Sequence, residues 1–281
     1  MKYLNLGCGD RFKHSWVNVD FISNHKNVIA HNLRNNIPFA DQSFDVIYHS
    51  HILEHFPKSE AEAFIKECYR VLRPKGILRV VVPDLEQIAR IYLQALEKAN
   101  DSSQEWIDNY HWILLEMYDQ SVRNYSGGEM AKYLFQEDIP NLEFVLGRCG
   151  TEGKKLIEIG KIVRQEKDLN LAKKSQQLFR KVYRFLSKKG YWKKILLKII
   201  LGQKYNALKL GEFRQSGEVH QWMYDRYSLK VLLQKCGFRD ITQQSAITSY
   251  ITGWSDFNLD TEPDGSIYKP DSIFMEAIKP I

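Results

Sequence analysis

Apolar residues in the first third of the chain come in short alternating runs, each ending at glycine or polar residues. Tyr3-Leu4-Asn5-Leu6 predicts a strand that runs into Gly7-Cys8-Gly9, and Trp16-Val17-Asn18-Val19 predicts a second that ends on Asp20. Residues 27–30, 44–48 and 77–82 predict three more strands, and residues 61–72 between the last two carry apolar positions at helical spacing. Strands alternating with helices imply a parallel sheet with helices on its faces. The pattern then turns helical. Residues 85–98 place Ile88, Ile91, Tyr92 and Ala95 on one face, and residues 106–117 form a second amphipathic stretch after the polar break at 100–103. Residues 146–153 are expected to be a hinge into a basic segment, and 212–217 the way back. A helix over 228–236 is stopped by Gly237, a helix-ending glycine. Residues 238–242 and 272–278 predict a sixth and a seventh strand, with a turn at 260–265 in their connection.

The first two strands suggest chemistry. Glycines allow positive φ and let a ligand lie against bare backbone. A carboxylate at the end of the next strand can accept both hydroxyls of a ribose. Gly7-Cys8-Gly9 followed by Asp20 therefore suggests a nucleoside-bearing cofactor, although Gly-x-Gly alone also marks ordinary turns.

Four motifs in order make the pattern specific: Leu4 to Gly9, Pro38 to Asp45, Leu53-Glu54-His55, and Arg70-Val71-Leu72-Arg73-Pro74-Lys75-Gly76. In this order and spacing the chain resembles the class I S-adenosylmethionine-dependent methyltransferases of the type 11-like group. The resemblance covers residues 3–99 well and 217–281 moderately. It implies an α/β, Rossmann-like fold with a mostly parallel seven-stranded sheet whose last strand is antiparallel, plus a helical insertion. The expected division is a cofactor-binding core over 1–99, a helical insertion or cap over 100–216, and the rest of the sheet over 217–281. The expected cofactor is S-adenosyl-L-methionine. Its contacts are carried onto Leu6, Gly7, Cys8 and Gly9, onto Asp20 and Phe21 after the second strand, onto Asn32 and Leu33 after the third, and onto His49 and Ser50 after the fourth. Three departures stand out. Arg11 occupies the place of a third glycine, Asn5 replaces a common acid, and only eleven positions separate Gly9 from Asp20. The helix usual between the first two strands is therefore expected to be shortened or replaced by a loop.

His51-Ile52-Leu53-Glu54-His55 also reads as a zinc-hydrolase signature, His-x-x-Glu-His. Its place just after a buried strand of a cofactor-binding core argues against that, so no metal is expected, and Glu54 and His55 are expected to bond local backbone. His51 is expected to face the transferred methyl group. His220, before the last helix, is a second candidate base, because imidazole titrates near neutrality. Together His51 and His220 are the catalytic candidates for a hydroxyl acceptor. No Asn-Pro-Pro-aromatic or Pro-Cys motif follows the fourth strand, which argues against DNA-base methylation.

Composition adds one more feature. The net charge is +6, but residues 151–210 hold 17 Lys and Arg against 4 Asp and Glu, a net +13, leaving −7 for the rest. Leu178, Phe179, Val182, Tyr183, Phe185 and Leu186 form one helical face there, and Arg180, Lys181, Arg184 and Lys188 the other. Residues 192–201 repeat the separation. Such a helix suits an anionic membrane surface or a cap packed on the core, so residues 173–201 are a candidate membrane contact. No nucleic-acid-binding module accompanies the charge. Four cysteines without Cys-x-x-Cys spacing, and a first strand starting at Tyr3, suggest a reduced cytoplasmic protein, peripheral at the inner face of the membrane if that segment docks. The reading is methyl transfer to a small-molecule, sugar or lipid-linked acceptor. The rivals are a nicotinamide-dependent oxidoreductase and a non-catalytic binding module on the same fold.

Overall fold

The computed structural model describes residues 1–23, 25–101, 103–171 and 197–281. Seven strands form one sheet: β1 (Tyr3–Leu6), β2 (Val17–Asp20), β3 (Val28–Ala30), β4 (Phe44–Ser50), β5 (Leu72–Pro83), β6 (Arg239–Gln244) and β7 (Ser272–Ile278). Their order is β3-β2-β1-β4-β5-β7-β6. The first five are parallel, and β7 runs antiparallel to both β5 and β6. Leu6 pairs with Val19 on one side and His49 on the other, so β1, β2 and β4 end together. That alignment brings the glycine turn, Asp20 and Ser50 to one carboxyl edge, where open α/β sheets bind ligands.

One face of the sheet is covered as its sequence period predicts. Leu4, Leu6, Ile47, Leu78, Val80 and Met275 pack against α1 (Lys58–Val71) and α7 (Arg226–Lys235) through Phe64, Ile65, Cys68, Leu229 and Leu233. Each such side chain stabilises the fold by roughly 1.5–3 kcal/mol relative to exposure. Asp225 starts α7 through a capping box with Ser228, and Gly237 at φ +96° ends it. Lys75 sits at φ +64° within the first residues of β5, a conformation that favours glycine.

The opposite face is unusual. No helix joins β1 to β2; residues 7–16 form a loop. The sheet is covered there by the connection from β6 to β7. Its Ala246, Ile251, Trp254 and Leu259 pack on Trp16, Val46, Tyr48, Val81 and Phe274. Arg11 ties the loop to that connection. Its guanidinium donates to the carbonyls of Asn258, Leu259 and Thr261, pairs with Glu262 at 3.0 Å, and lies 3.9 Å over the Tyr268 ring. Beneath the connection, fully buried Arg79 bonds to Asp260, to Glu276 and to the carbonyls of Ser245 and Thr248.

Helices α2 (Leu85–Asn100), α3 (Gln104–Val122), α4 (Gly128–Leu134), α5 (Leu142–Leu171) and α6 (Lys204–Arg214) lie between β5 and α7 in sequence. The expected hinge at 146–153 is instead a kink inside α5, where Gly150 adopts φ +57° and ψ −139°. A Cβ at Gly150 would lie 2.5 Å from the carbonyl of Tyr268, so the close approach of the chain before β7 requires glycine. The basic helix expected around Leu178 to Lys188 falls outside the described residues. Residues 197–201 are helical, with Ile199 and Ile200 exposed.

Candidate active site

Three adjoining cavities lie at the carboxyl edge. The first, about 270 Å³, is lined by Gly7, Asp20, Phe21, Asn32, Leu33, Ile52 and His55. The second, about 500 Å³, runs under the glycine turn past Asn5, Cys8, Gly9, Tyr48, Ser50 and His51 to Glu152, Lys155, Tyr268 and Lys269. The third, about 410 Å³, shares His51, Glu152, Leu156 and Lys269 with the second and is closed by α4, α5 and the His220 loop.

The glycine turn fits a nucleoside-bearing cofactor. Gly7 adopts φ +64°, and a Cβ there would overlap the Ile52 side chain. Gly9 adopts φ +49°, and a Cβ there would meet nothing within 4 Å, which leaves bare backbone beside the cavity. Asp20 Oδ2 accepts from the Gly9 amide at 2.7 Å, so the carboxylate braces the turn as well as lining the first cavity. Asn32 Oδ1 accepts from the Arg34 amide at 3.0 Å, the bond of a turn-forming asparagine, while the residue still lines that cavity. Asn5 is buried and donates to the Arg11 carbonyl, which fixes the loop in place of the missing helix. Burial pushes the Cys8 thiol up to about 12, with the Asp20 carboxylate adding to the effect.

Two of the expected cofactor residues are corrected. Leu6 is fully buried in the core against α1, and its side chain lines none of these three cavities. His49 is also fully buried, its ring 5.2 Å from that of Phe64, and burial lowers its pKa to about 4. Of the pair His49 and Ser50, only Ser50 faces a cavity, because side chains alternate across a strand.

The histidine stretch differs from a metallopeptidase helix. Only Leu53–His55 is helical, as a short 3-10 turn. His51 lies before it at φ +55°, so His51 and His55 do not share a helix face. All three histidines of the site surround Glu54, whose side chain is fully buried. His51 Nδ1 is 3.2 Å from Glu54 Oε1, and its Nε2 is 2.8 Å from Ser272 Oγ. His55 Nε2 and His220 Nε2 each lie 4.0 Å from the same oxygen. Neither Glu54 oxygen has a hydrogen-bond partner of good alignment, which corrects the expectation that the side chain bonds local backbone. It is the Glu54 carbonyl that does so, accepting from Gln221 at 2.7 Å and Trp222 at 3.2 Å. Those bonds, with the one from His220 N–H to the Gln120 carbonyl, clamp the His220 loop over Glu54. Burial would raise the Glu54 pKa, but the His51 imidazole beside it holds it well below the usual carboxylate range. Burial drives His220 down to about 3 and lowers His55, so both stand neutral at pH 7.

The sequence did not reveal the far wall. Glu152 and Lys269 pair at 2.7 Å between the second and third cavities. Burial alone would raise the Glu152 carboxyl, but the Lys269 ammonium brings it below its ordinary value. Lys155 and the ring of Tyr268 complete that wall.

Residues 14–80 match the family described as "Methyltransferase domain". No curated protein sequence matches the chain. Similar solved structures include a SAM-dependent methyltransferase from Archaeoglobus fulgidus, 11% identical, covering 99% of this chain and 86% of that one at a TM-score of 0.38. The YcgJ protein from Bacillus subtilis is 19% identical over 34% of this chain and 51% of that one, at a TM-score of 0.25. A Burkholderia thailandensis 1,6-didemethyltoxoflavin-N1-methyltransferase, solved with bound S-adenosylhomocysteine, is 16% identical over 29% of this chain and 44% of that one, at 0.25.

Proposed function

We propose that this chain is a class I S-adenosylmethionine-dependent methyltransferase, as its methyltransferase-domain match and sheet order support, and that it moves the methyl group to a hydroxyl of a small-molecule, sugar or lipid-linked acceptor. The observation that carries the hydroxyl is the Glu54–His51–Ser272 line. His51 Nδ1 lies 3.2 Å from Glu54 Oε1 and its Nε2 2.8 Å from Ser272 Oγ; the carboxylate favours the tautomer with the proton on Nδ1, which leaves the Nε2 lone pair free to accept. An acceptor hydroxyl entering the second cavity can take the place of Ser272 and give its proton to Nε2. An oxygen nucleophile needs such a base, since its proton must leave as the new bond forms.

The cofactor supplies an electrophilic methyl group on a sulfonium. The chain's own residues do the rest. Asp20, Asn32, Leu33 and Phe21 hold the nucleoside in the first cavity. The amides of the glycine turn, with Ser50, hold the amino-acid end in the second. Placement of the acceptor next to that end is what accelerates the transfer. The third cavity, bounded by α4 and α5, receives the rest of the acceptor, and its volume and its mixture of Arg123, Lys269, Glu152, Met130 and Leu134 suit a polar molecule with an apolar part. His220, the second candidate base, lines only the third cavity, which leaves proton removal to His51.

The test is a turnover assay with labelled cofactor against panels of glycosides, phosphosugars and lipid-linked sugars, with S-adenosylhomocysteine release as the readout. His51→Gln should abolish hydroxyl methylation while calorimetric binding of S-adenosylhomocysteine stays within about threefold. Methylation of amines alone, unaffected by His51→Gln, would overturn the reading.

The membrane contact proposed for residues 173–201 is supported by the basic, two-faced sequence and by exposed Ile199 and Ile200 at its end. Each Lys or Arg near an anionic surface contributes about 1 kcal/mol. Cosedimentation with anionic vesicles, fading with salt and with Lys→Gln changes at Lys181, Lys188, Lys194 and Lys198, checks it. Absence of binding at low salt would remove the support for a lipid-linked acceptor.

A further inference from the structure

The surroundings of Glu54 serve more than the orientation of His51. A fully buried carboxylate with no aligned donor costs several kcal/mol unless a positive charge reaches it. Two of its neighbours stand at a telling distance. His55 Nε2 and His220 Nε2 are each 4.0 Å from Glu54 Oε1, too far for a hydrogen bond, which needs about 2.7–3.2 Å. Yet one donor atom from each of the three residues lies within 4.8 Å of the other two. Two donors on one tetrahedral zinc-sized ion, each about 2.0–2.2 Å from it, stand roughly 3.3–3.6 Å apart. The spacing is therefore too wide for a hydrogen-bonded network and lies about 0.5–1.5 Å outside the donor spacing of a shared ion, a closure that rotation of the side chains can supply.

We infer that Glu54, His55 and His220 form a binding site for one divalent transition-metal ion of the zinc type. Two imidazoles and a carboxylate are a donor set that zinc accepts, with a fourth position left open in sites that meet substrate. His55 and His220 both line the third cavity, so the open position faces the space where the acceptor would lie. The chain builds the set from two distant segments. The 3-10 turn supplies Glu54 and His55, and the clamp from Gln221 and Trp222 to the Glu54 carbonyl delivers His220. Ring nitrogens remain for outer partners: Nδ1 of His55 and Nδ1 of His220 are buried and unpartnered. His51 stays outside the set, because its Nε2 is engaged by Ser272. The site thus differs from the His-x-x-Glu-His reading of the sequence, which would have used His51 and His55 and left Glu54 unligated.

The test uses the intact protein, stripped with chelator and titrated with Zn²⁺ by calorimetry and with Co²⁺ by visible absorption, with no methyl donor or acceptor present. One equivalent of Zn²⁺ should bind, and Co²⁺ should give the d–d absorption of a low-coordinate site. His220→Ala, His55→Ala and Glu54→Gln should each weaken binding by about 100-fold or more, since even outer-shell changes cost 10–100-fold. His51→Ala should keep it within about threefold. Where His220→Ala fails to fold, His220→Cys keeps a ligand and should add a thiolate-to-cobalt charge-transfer band. No stoichiometric uptake, or uptake indifferent to changes at His55 and His220, would overturn the inference. Either result leaves the methyl-transfer reading standing, because no turnover enters the measurement.

Discussion

Arg79→Met tests how this fold manages without a helix between β1 and β2. Arg79 is fully buried, with Asp260 and Glu276 beside it at 2.7 Å each. It also donates to the carbonyls of Thr248 and Ser245 at 3.0 and 2.7 Å, and lies 4.4 Å from the Trp254 ring centroid. All of these groups except Glu276 belong to the connection that covers the sheet. Methionine keeps much of the volume and removes the charge, leaving two carboxylates buried without their counter-ion. Breaking a buried ion pair from one side costs about 3–5 kcal/mol, a large part of a typical total stability of about 5–15 kcal/mol. The expected outcome is a fall of that size in the free energy of urea unfolding, and a melting temperature lower by on the order of 10 °C.

The pH dependence gives a second readout. In the variant, desolvation no longer opposed by Arg79 raises the folded-state pKa of Asp260 further above its unfolded value. The Asp260 pKa is already raised in the parent protein, with burial the largest cause and Arg79 opposing it. A carboxyl with a raised folded pKa makes the folded state bind more protons, so its stability contribution is present at low pH and is lost as pH rises. The gap between parent and variant should therefore be widest at pH 7 and narrow toward pH 5. Arg79→Met within about 1 kcal/mol of the parent, or a gap that does not narrow in acid, would refute the claim that this ion cluster anchors the cover. Glu276→Leu added to Arg79→Met should restore part of the loss, because one unpaired carboxylate is then gone.

Three further outcomes are expected. Asp20→Ala should weaken S-adenosylhomocysteine by about 1–3 kcal/mol, the cost of losing a buried charged hydrogen bond, and calorimetry with an unchanged Kd would count against Asp20 as a cofactor ligand. Gly7→Ala should weaken both stability and cofactor binding, since a left-handed conformation costs an alanine about 1–2 kcal/mol and its Cβ overlaps Ile52; denaturant melts and calorimetry read both effects. Cys8, whose thiol is pushed up to about 12, should resist iodoacetamide at pH 8 despite lining a cavity, and mass-spectrometric detection of rapid labelling there would contradict the buried setting.

The sheet was legible because its strands announce themselves in two independent ways. Alternating or continuous apolar runs end at glycine or polar residues, and the spacing between runs admits crossovers. Strands over 3–6 and 272–278 match the structure residue for residue, and the second begins one residue later than expected, at Val17. The hinge at 146–153 was misread because glycines at 147, 150 and 153 look like loop punctuation. Only Gly150 leaves helical geometry, and it does so for a neighbour, the chain at 267–270, that no local pattern reveals. His49 was misassigned for a similar reason. Strand alternation sends its side chain to the face covered by α1, but the strand's end could not be fixed from sequence while β4 ran two residues past the expected one. Glu152, Lys155 and Lys269 were invisible as site residues, since they reach the cavity only through the tertiary placement of α5 and the segment before β7.

The missing helix and the histidine cluster are connected through one structural exchange. A helix after the glycine turn would occupy the face where the β6–β7 connection now lies. With a loop there instead, the connection approaches the turn closely enough for Arg11 to grip residues 258–262 and for Tyr268 and Lys269 to join the cavity wall. The same segment continues to Asp271 and Ser272, which places the Ser272 hydroxyl against His51. On the other side, the helices inserted after β5 carry Gln120, whose carbonyl anchors His220 beside Glu54. Shortening one loop and lengthening two connections thus moves charged and proton-accepting groups into a space that the strand ends alone leave open. Changes in the 258–272 segment should therefore alter acceptor selectivity and the proposed role of His51 more than affinity for S-adenosylhomocysteine, whose nucleoside we assign to the first cavity and its separate lining, Asp20, Asn32 and Leu33.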